Sequence, residues 1–175
     1  MEEYEQYLKY SGTTTFSSMS KADLTNLVER GESSFLEFKQ KVTSPEKLAR
    51  EIAAFANTEG GIILVGVGDK GELIGLETYL EEEFWLKQAA EQECVPPVSI
   101  TFELFQIGQR DILIVNVPES QVKPVQVKAG KSSKIRKVFV RVDDSSVEAS
   151  NEYIQVLKQD GATQGIAFEY GEKEQ

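Results

Sequence analysis

Residues 54–75 read AFANTEGGIILVGVGDKGELIG, and this stretch decides the fold. Phe55 and Ala56 close an apolar helical face that begins at Leu48 and Ile52, spaced as one side of a helix requires. Gly60-Gly61 ends that helix. Ile62–Val67 is a near-continuous apolar run of strand length, the pattern of a strand covered on both faces. Gly68-Asp69-Lys70-Gly71 then supplies a glycine turn, followed by the strand-like Glu72-Leu73-Ile74-Gly75. The order is helix, Gly-Gly break, buried strand and hairpin.

Outward from this core the pattern continues. Ser20 is placed to cap a helix reaching Arg30, with Leu24, Leu27 and Val28 on one face and Gly31 as the stop. Ser34–Lys39 alternates as a strand, Phe35 and Glu37 to one side, Leu36 and Phe38 to the other. Pro45 stands at the first position of the helix that leads into residue 54. Thr78–Glu93 predicts an acidic helix with Trp85 and Leu86 inward, ended by Pro96-Pro97. Val98–Ile107 and Asp111–Val117 form an antiparallel pair around Gly108-Gln109. Val125–Val127 and Val138–Val142 are two further strands, and Ser150 caps a last helix to Lys158. The expected organisation is one domain. It spans residues 20–159, with a flexible appendage at 1–19 and a tail at 160–175.

The 175 residues hold 40% hydrophobic and 27% charged side chains, a globular composition. No apolar run approaches the roughly 18 residues of a membrane helix. The acidic start, MEEYEQYLKY, lacks the apolar stretch of a secretory signal. A single cysteine, Cys94, allows no internal disulfide. These features predict a cytoplasmic protein with no membrane partner. The chain has no histidine, which excludes Ser-His-Asp and Cys-His catalysis and any histidine-based zinc site. A bound metal would need oxygen ligands, which favours Mg²⁺ or Mn²⁺.

Net charge is −10, but the charge is segregated. Seven acids and one base lie between Glu72 and Glu93. Seven bases and no acid lie between Gln121 and Arg141: Lys123, Lys128, Lys131, Lys134, Arg136, Lys137 and Arg141. Such a segment is either a lysine-guarded edge or a phosphate-facing surface.

Two nucleotide motifs fail on context. Gly66, Gly68 and Gly71 spell GxGxxG after a strand, but a dinucleotide site needs a helix N-terminus next, and a strand follows instead. Ala129-Gly130-Lys131-Ser132 imitates the end of a Walker A loop, yet Val125 occupies the place of its first glycine. Three acids, Glu32, Glu37 and Asp69, come from a helix end, a strand and a turn. If they converge they form a candidate divalent-metal site; otherwise they are surface acids and a turn former.

Glu32 with Glu37-Phe38-Lys39, the 54–75 stretch and VFVRVDDSSVEASNEYIQVL (residues 138–157) together resemble the Schlafen AlbA_2 domain, also called divergent AAA-4 or Alba-like DNA-binding domain. The resemblance runs from about Leu24 to Lys158. It implies an α+β fold, a single domain with a mixed, mostly antiparallel sheet flanked by helices, and nucleic acid, DNA or RNA, as partner. In many relatives the domain precedes further modules, often a winged helix, in transcriptional regulators; no such module falls within these residues. Some Schlafen proteins cleave tRNA or rRNA with three acids. Two of these resemble Glu32 and Glu37, and the third falls at Gly68-Asp69, where relatives often carry two acids and this chain has one.

Three readings follow. The first is a binding module whose Lys39, Lys41, Lys131, Lys134, Arg136, Lys137 and Arg141 contact phosphates, assisted by backbone amides of Thr58–Gly61. The second is an Mg²⁺- or Mn²⁺-dependent endoribonuclease acting on structured RNA such as tRNA, with Glu32, Glu37 and Asp69 as catalytic metal ligands. The third is an interaction domain, a homodimer joining the basic segment of one copy to the acidic helix of another.

Overall fold

In a computed structural model, residues 2–42, 44–130 and 132–160 are described. The elements are α1 (Glu2–Leu8), β1 (Thr15–Phe16), α2 (Lys21–Glu29), β2 (Leu36–Lys39), α3 (Pro45–Asn57), β3 (Gly61–Val65), α4 (Leu80–Gln88), β4 (Cys94–Val95), β5 (Thr101–Ile107), β6 (Arg110–Val117), β7 (Gln126–Lys128), β8 (Arg136–Val142) and β9 (Ser145–Glu148). Residues 151–160 form a final helix, α5. Two sheets result, ordered β1-β5-β6-β3-β2 and β4-β7-β8-β9. β2 runs parallel to β3 and β1 to β5; every other pairing is antiparallel. The α+β class and the mostly antiparallel pairing match the sequence expectation, with two sheets in place of one.

Helix α3 lies between the sheets because its second half, residues 52–56, is apolar and buried on every side. Leu48, Ala49, Ile52, Ala53, Phe55 and Ala56 share one core with Ile63 and Val65 of β3, Leu113 and Val115 of β6, and Val127 and Phe139 of the second sheet. A helix buried on opposite sides needs such a surface. The other face of the first sheet packs Leu36, Phe38, Leu64, Ile112 and Ile114 against Leu24 and Val28 of α2. The outer face of the second sheet packs Val138 and Val140 against Leu157 of α5. The layers are therefore α2, sheet, α3, sheet, α5.

The Phe-Ala-Asn-Thr-Glu-Gly-Gly segment joins these layers. Asn57, 1% exposed, donates through Nδ2 to Val125 O and Phe139 O, both at 2.9 Å, and accepts from Val125 N at 2.6 Å. An amide is the side-chain group that both donates and accepts in this way. Thr58 Oγ1 donates to Ala54 O at 2.7 Å and accepts from Arg141 N at 3.1 Å. Gly60 turns the chain at φ +73°, and a Cβ there would lie 2.7 Å from Val117 O. A Cβ on Gly61 would collide with the Phe55 ring.

The caps follow the sequence. Ser20 and Asp23 form a reciprocal capping box on α2. The glycine turn after β3 closes by Gly68 N to Glu72 O and Gly71 N to Gly68 O, both 2.9 Å, with Val67 bridged to Leu73. No helix starts there, so GxGxxG is a hairpin. Ala129-Gly130 and Ser132 lie in the β7–β8 turn, ahead of a strand.

Two local readings differ. The acidic helix divides into α4 and a π turn at Ala89–Glu93. Its Glu82 and Glu83 are buried at 3% and 0% exposure, not solvated. Both sit in the first turn, where the helix dipole favours negative charge. Thr13 N and Oγ1 donate to Glu83 Oε1 at 2.7 and 2.8 Å. Residues before 20 thus carry α1, the covering segment at Thr13, and β1 paired with β5.

Candidate functional site

Glu37 and Lys39 alternate onto the α3 side of β2, where Glu51 of α3 and Arg141 of β8 meet them. Arg141 is held from four directions. Its Nη1 donates to Glu37 Oε2 at 2.9 Å and to Ser146 Oγ at 3.1 Å. Its Nη2 donates to Ser33 O at 2.7 Å, and the guanidinium lies 4.4 Å from the Phe55 ring centroid. Lys39 Nζ sits 2.7 Å from Glu51 Oε1 and 3.7 Å from Glu37 Oε1. Glu32 Oε1 accepts from Phe38 N at 2.9 Å.

This is a cluster of three carboxylates and two cations. Burial first, then the carboxylates of Glu51 and Glu32, push the Glu37 carboxyl up to about 7; Lys39 and Arg141 oppose the rise. Burial also raises Glu51, with Lys39 acting against it. An acid titrating near neutrality beside two cations can hold or release a proton at physiological pH.

The three sequence-nominated acids are separated in role. Glu32 and Glu37 belong to this cluster, while Asp69 is exposed in the turn after β3. The acid that joins the first two is Glu51, which the sequence reading passed over. Its position between Leu48 and Ile52 on an apolar helix was the signal available. Glu37 and Glu51 are engaged by Arg141 and Lys39, and no three carboxylates are placed to hold one metal ion together among the described residues. The residues present therefore do not fit a divalent ion as arranged.

The nominated bases fall into three places. Lys134, Arg136 and Lys137 are exposed on the β7–β8 hairpin, with Lys128 paired to Arg136 in register. Lys128 Nζ also donates to Gln92 O at 2.8 Å, so this hairpin rests on the acidic helical segment of its own chain. Lys137 pairs with Glu148 at 3.3 Å. Lys39 and Arg141 lie in the acidic cluster, and the Arg141 side chain is 1% exposed. Strand alternation turns Arg141 inward beside Phe139. Lys41 lines a separate cavity of about 310 Å³ with Arg110, Glu77 and Glu82. Lys131 lies outside the described residues. The amides expected to serve as donors at Thr58–Gly61 are partly committed, since Thr58 N and Gly60 N both donate to Phe55 O.

A two-sheet α+β domain with an acid–base cluster at the Glu-Phe-Lys strand defines the class. The family model "Schlafen, AlbA_2" matches residues 32–150, and the chain belongs to that family. Among solved structures it is similar to the DIP2311 protein from Corynebacterium diphtheriae, at 20% identity and a TM-score of 0.50. The match covers 91% of this chain and 29% of that one, and it shows the shared fold. No helix among the described residues is long and apolar enough to cross a membrane.

Proposed function

We propose that this domain binds nucleic acid, DNA or RNA, by contacting the phosphate backbone. The observation that carries the reading is the β7–β8 hairpin, which gathers Lys128, Lys134, Arg136 and Lys137 at one end of an acidic molecule. The exposed pair Lys137–Glu148 is weak enough to yield to a phosphate. Membership of the Schlafen AlbA_2 family supports the same partner. Without an aromatic among these bases, the hairpin positions a backbone and does not read sequence. Three free phosphate contacts, from Lys134, Arg136 and Lys137, predict that log K falls with log salt at a slope of about −2 on single strands. The test is fluorescence anisotropy with a labelled oligonucleotide between 50 and 300 mM salt. Absence of binding at the low end overturns the reading.

Glu37 supports a second reading, a phosphodiester-cleaving centre. A carboxyl raised to about 7 suits a general base or acid. Lys39 stands beside it as a cation for developing phosphate charge. The test is cleavage of tRNA by wild type and Glu37→Gln; equal cleavage by both removes Glu37 from any such role.

A further inference from the structure

The β7–β8 hairpin carries a side chain that phosphate contacts do not use. Ile135 is 66% exposed and stands between Lys134 and Arg136. A single exposed isoleucine is ordinary on a protein surface, but the setting of this one is not. Arg136 pairs with Lys128 across the ribbon, and Lys134, Ile135, Arg136 and Lys137 are exposed in an unbroken run. Successive residues of a strand face opposite sides. Exposure of both Arg136 and Lys137 therefore means that this end of the ribbon stands clear of the core on both faces.

The backbone of Ile135 is committed. Its N donates to Ser133 Oγ at 3.0 Å, and its O accepts from Ala129 N at 2.9 Å. Only the branched side chain is left to meet a partner, and β-branching keeps it stiff. An anionic partner drawn by Lys134, Arg136 and Lys137 has to offer this side chain an apolar surface. In nucleic acid that surface is the face of a base pair. Single-strand binders supply aromatic platforms for bases, and residues 121–137 contain no aromatic. An aliphatic wedge among cations suits instead the opening of a duplex base step from the minor groove.

We infer that Ile135 enters a base step of duplex DNA through the minor groove, with Lys134 and Arg136 on the flanking phosphates, and bends the duplex. Steps that unstack easily, or that are already mispaired, are then the favoured sites. The inference rests on the nucleic-acid reading above and adds the substrate class, a deformable DNA duplex.

The experiment uses a DNA duplex of about 20 base pairs with a donor dye at one end and an acceptor dye at the other. Anisotropy at about 50 mM salt reads binding, and energy transfer reads bending. Wild type is expected to raise energy transfer when it binds. It should also bind a duplex with a central mismatch about tenfold more tightly than a matched one, because a mispaired step costs less to open. Ile135→Ala should bind both duplexes alike and leave energy transfer at the level of free DNA. Ile135→Met should behave as wild type. Circular dichroism of each variant checks folding. Wild-type binding without a rise in energy transfer, or an unchanged mismatch preference in Ile135→Ala, overturns the wedge and leaves the backbone reading intact. Binding of single-stranded DNA or duplex RNA as tight as that of duplex DNA overturns the assignment to a DNA duplex. Binding to phosphatidylserine vesicles that needs Ile135, with none to DNA, assigns the ribbon to a membrane surface and overturns the inference. No binding of any nucleic acid removes both readings.

Discussion

Arg141 and Glu37 stand 104 positions apart in the chain and 2.9 Å apart in the fold. Their contact ties the second sheet to the edge strand of the first, across the C-terminal end of α3. With Arg141 1% and Glu37 13% exposed at the side chain, the pair is shielded from water. Removing one partner leaves the other buried and uncompensated. Arg141→Ala is therefore expected to destabilise the domain by about 3 kcal/mol in urea unfolding. The double variant with Glu37→Gln should recover part of that loss. Additive single effects would deny the coupling.

The raised Glu37 carboxyl gives a pH dependence of definite sign. The folded state binds this proton up to about pH 7, whereas the unfolded chain releases it near 4.5. The stabilisation linked to this proton is full below about 4.5 and is lost as pH rises through 7. Glu51 is shifted in the same direction. Relative to wild type, Glu37→Gln should gain stability between pH 5 and 8, read as the difference in Tm at the two ends. A constant difference across that range would contradict the shift.

Asn57 closes three buried backbone groups with one side chain. Asn57→Ala leaves Val125 N, Val125 O and Phe139 O to find other partners. An unsatisfied buried group costs about 1–3 kcal/mol, so a loss of at least about 3 kcal/mol is expected by chemical denaturation. Asn57→Asp keeps an acceptor but not the donors, and should also destabilise.

Gly61→Ala drives a methyl into the Phe55 ring, and Gly60→Ala adds a left-handed backbone conformation to a 2.7 Å contact. Each should cost about 2–3 kcal/mol. The double variant Gly61→Ala with Phe55→Leu should recover only part of the first loss, because the methyl would also lie 2.7 Å from the Phe35 carbonyl oxygen. Thermal unfolding followed by circular dichroism reads both.

Lys134, Arg136 and Lys137 are exposed and lie away from the core. Replacing each by Gln should leave the Tm within about 1 °C and flatten the salt slope of binding by roughly 1 per contact. Unchanged slopes in all three variants would move the nucleic-acid surface elsewhere on the molecule.

Local sequence was sufficient wherever one element's own residues decide its state. The Ser20 cap, Pro45 at the start of α3, the apolar β3 run and the Gly68–Gly71 turn were all legible, because propensity, capping and turn geometry act within a few residues. The two-residue strand β1, the short β9 and the π turn were not legible. Each is too brief for periodicity to register, and each depends on a neighbour.

The candidate site divides the same way. Glu32, Glu37 and Lys39 could be named from one strand and the turn before it. Whether Asp69 or Glu51 accompanies them, and whether Arg141 faces solvent or Glu37, depends on how α3 and β8 stack on β2. Glu51 lies fourteen positions from Glu37 in sequence, and Arg141 lies far beyond both. Sequence alone determined the α+β class, the Schlafen AlbA_2 family pattern and the absence of histidine chemistry, since those are properties of residue type and local order. Tertiary structure alone decided that Lys39 and Arg141 meet two carboxylates, and that burial pushes the Glu37 carboxyl up to about 7. Burial and Coulomb energy depend on distance and solvent exclusion through space, and neither quantity is written along the chain.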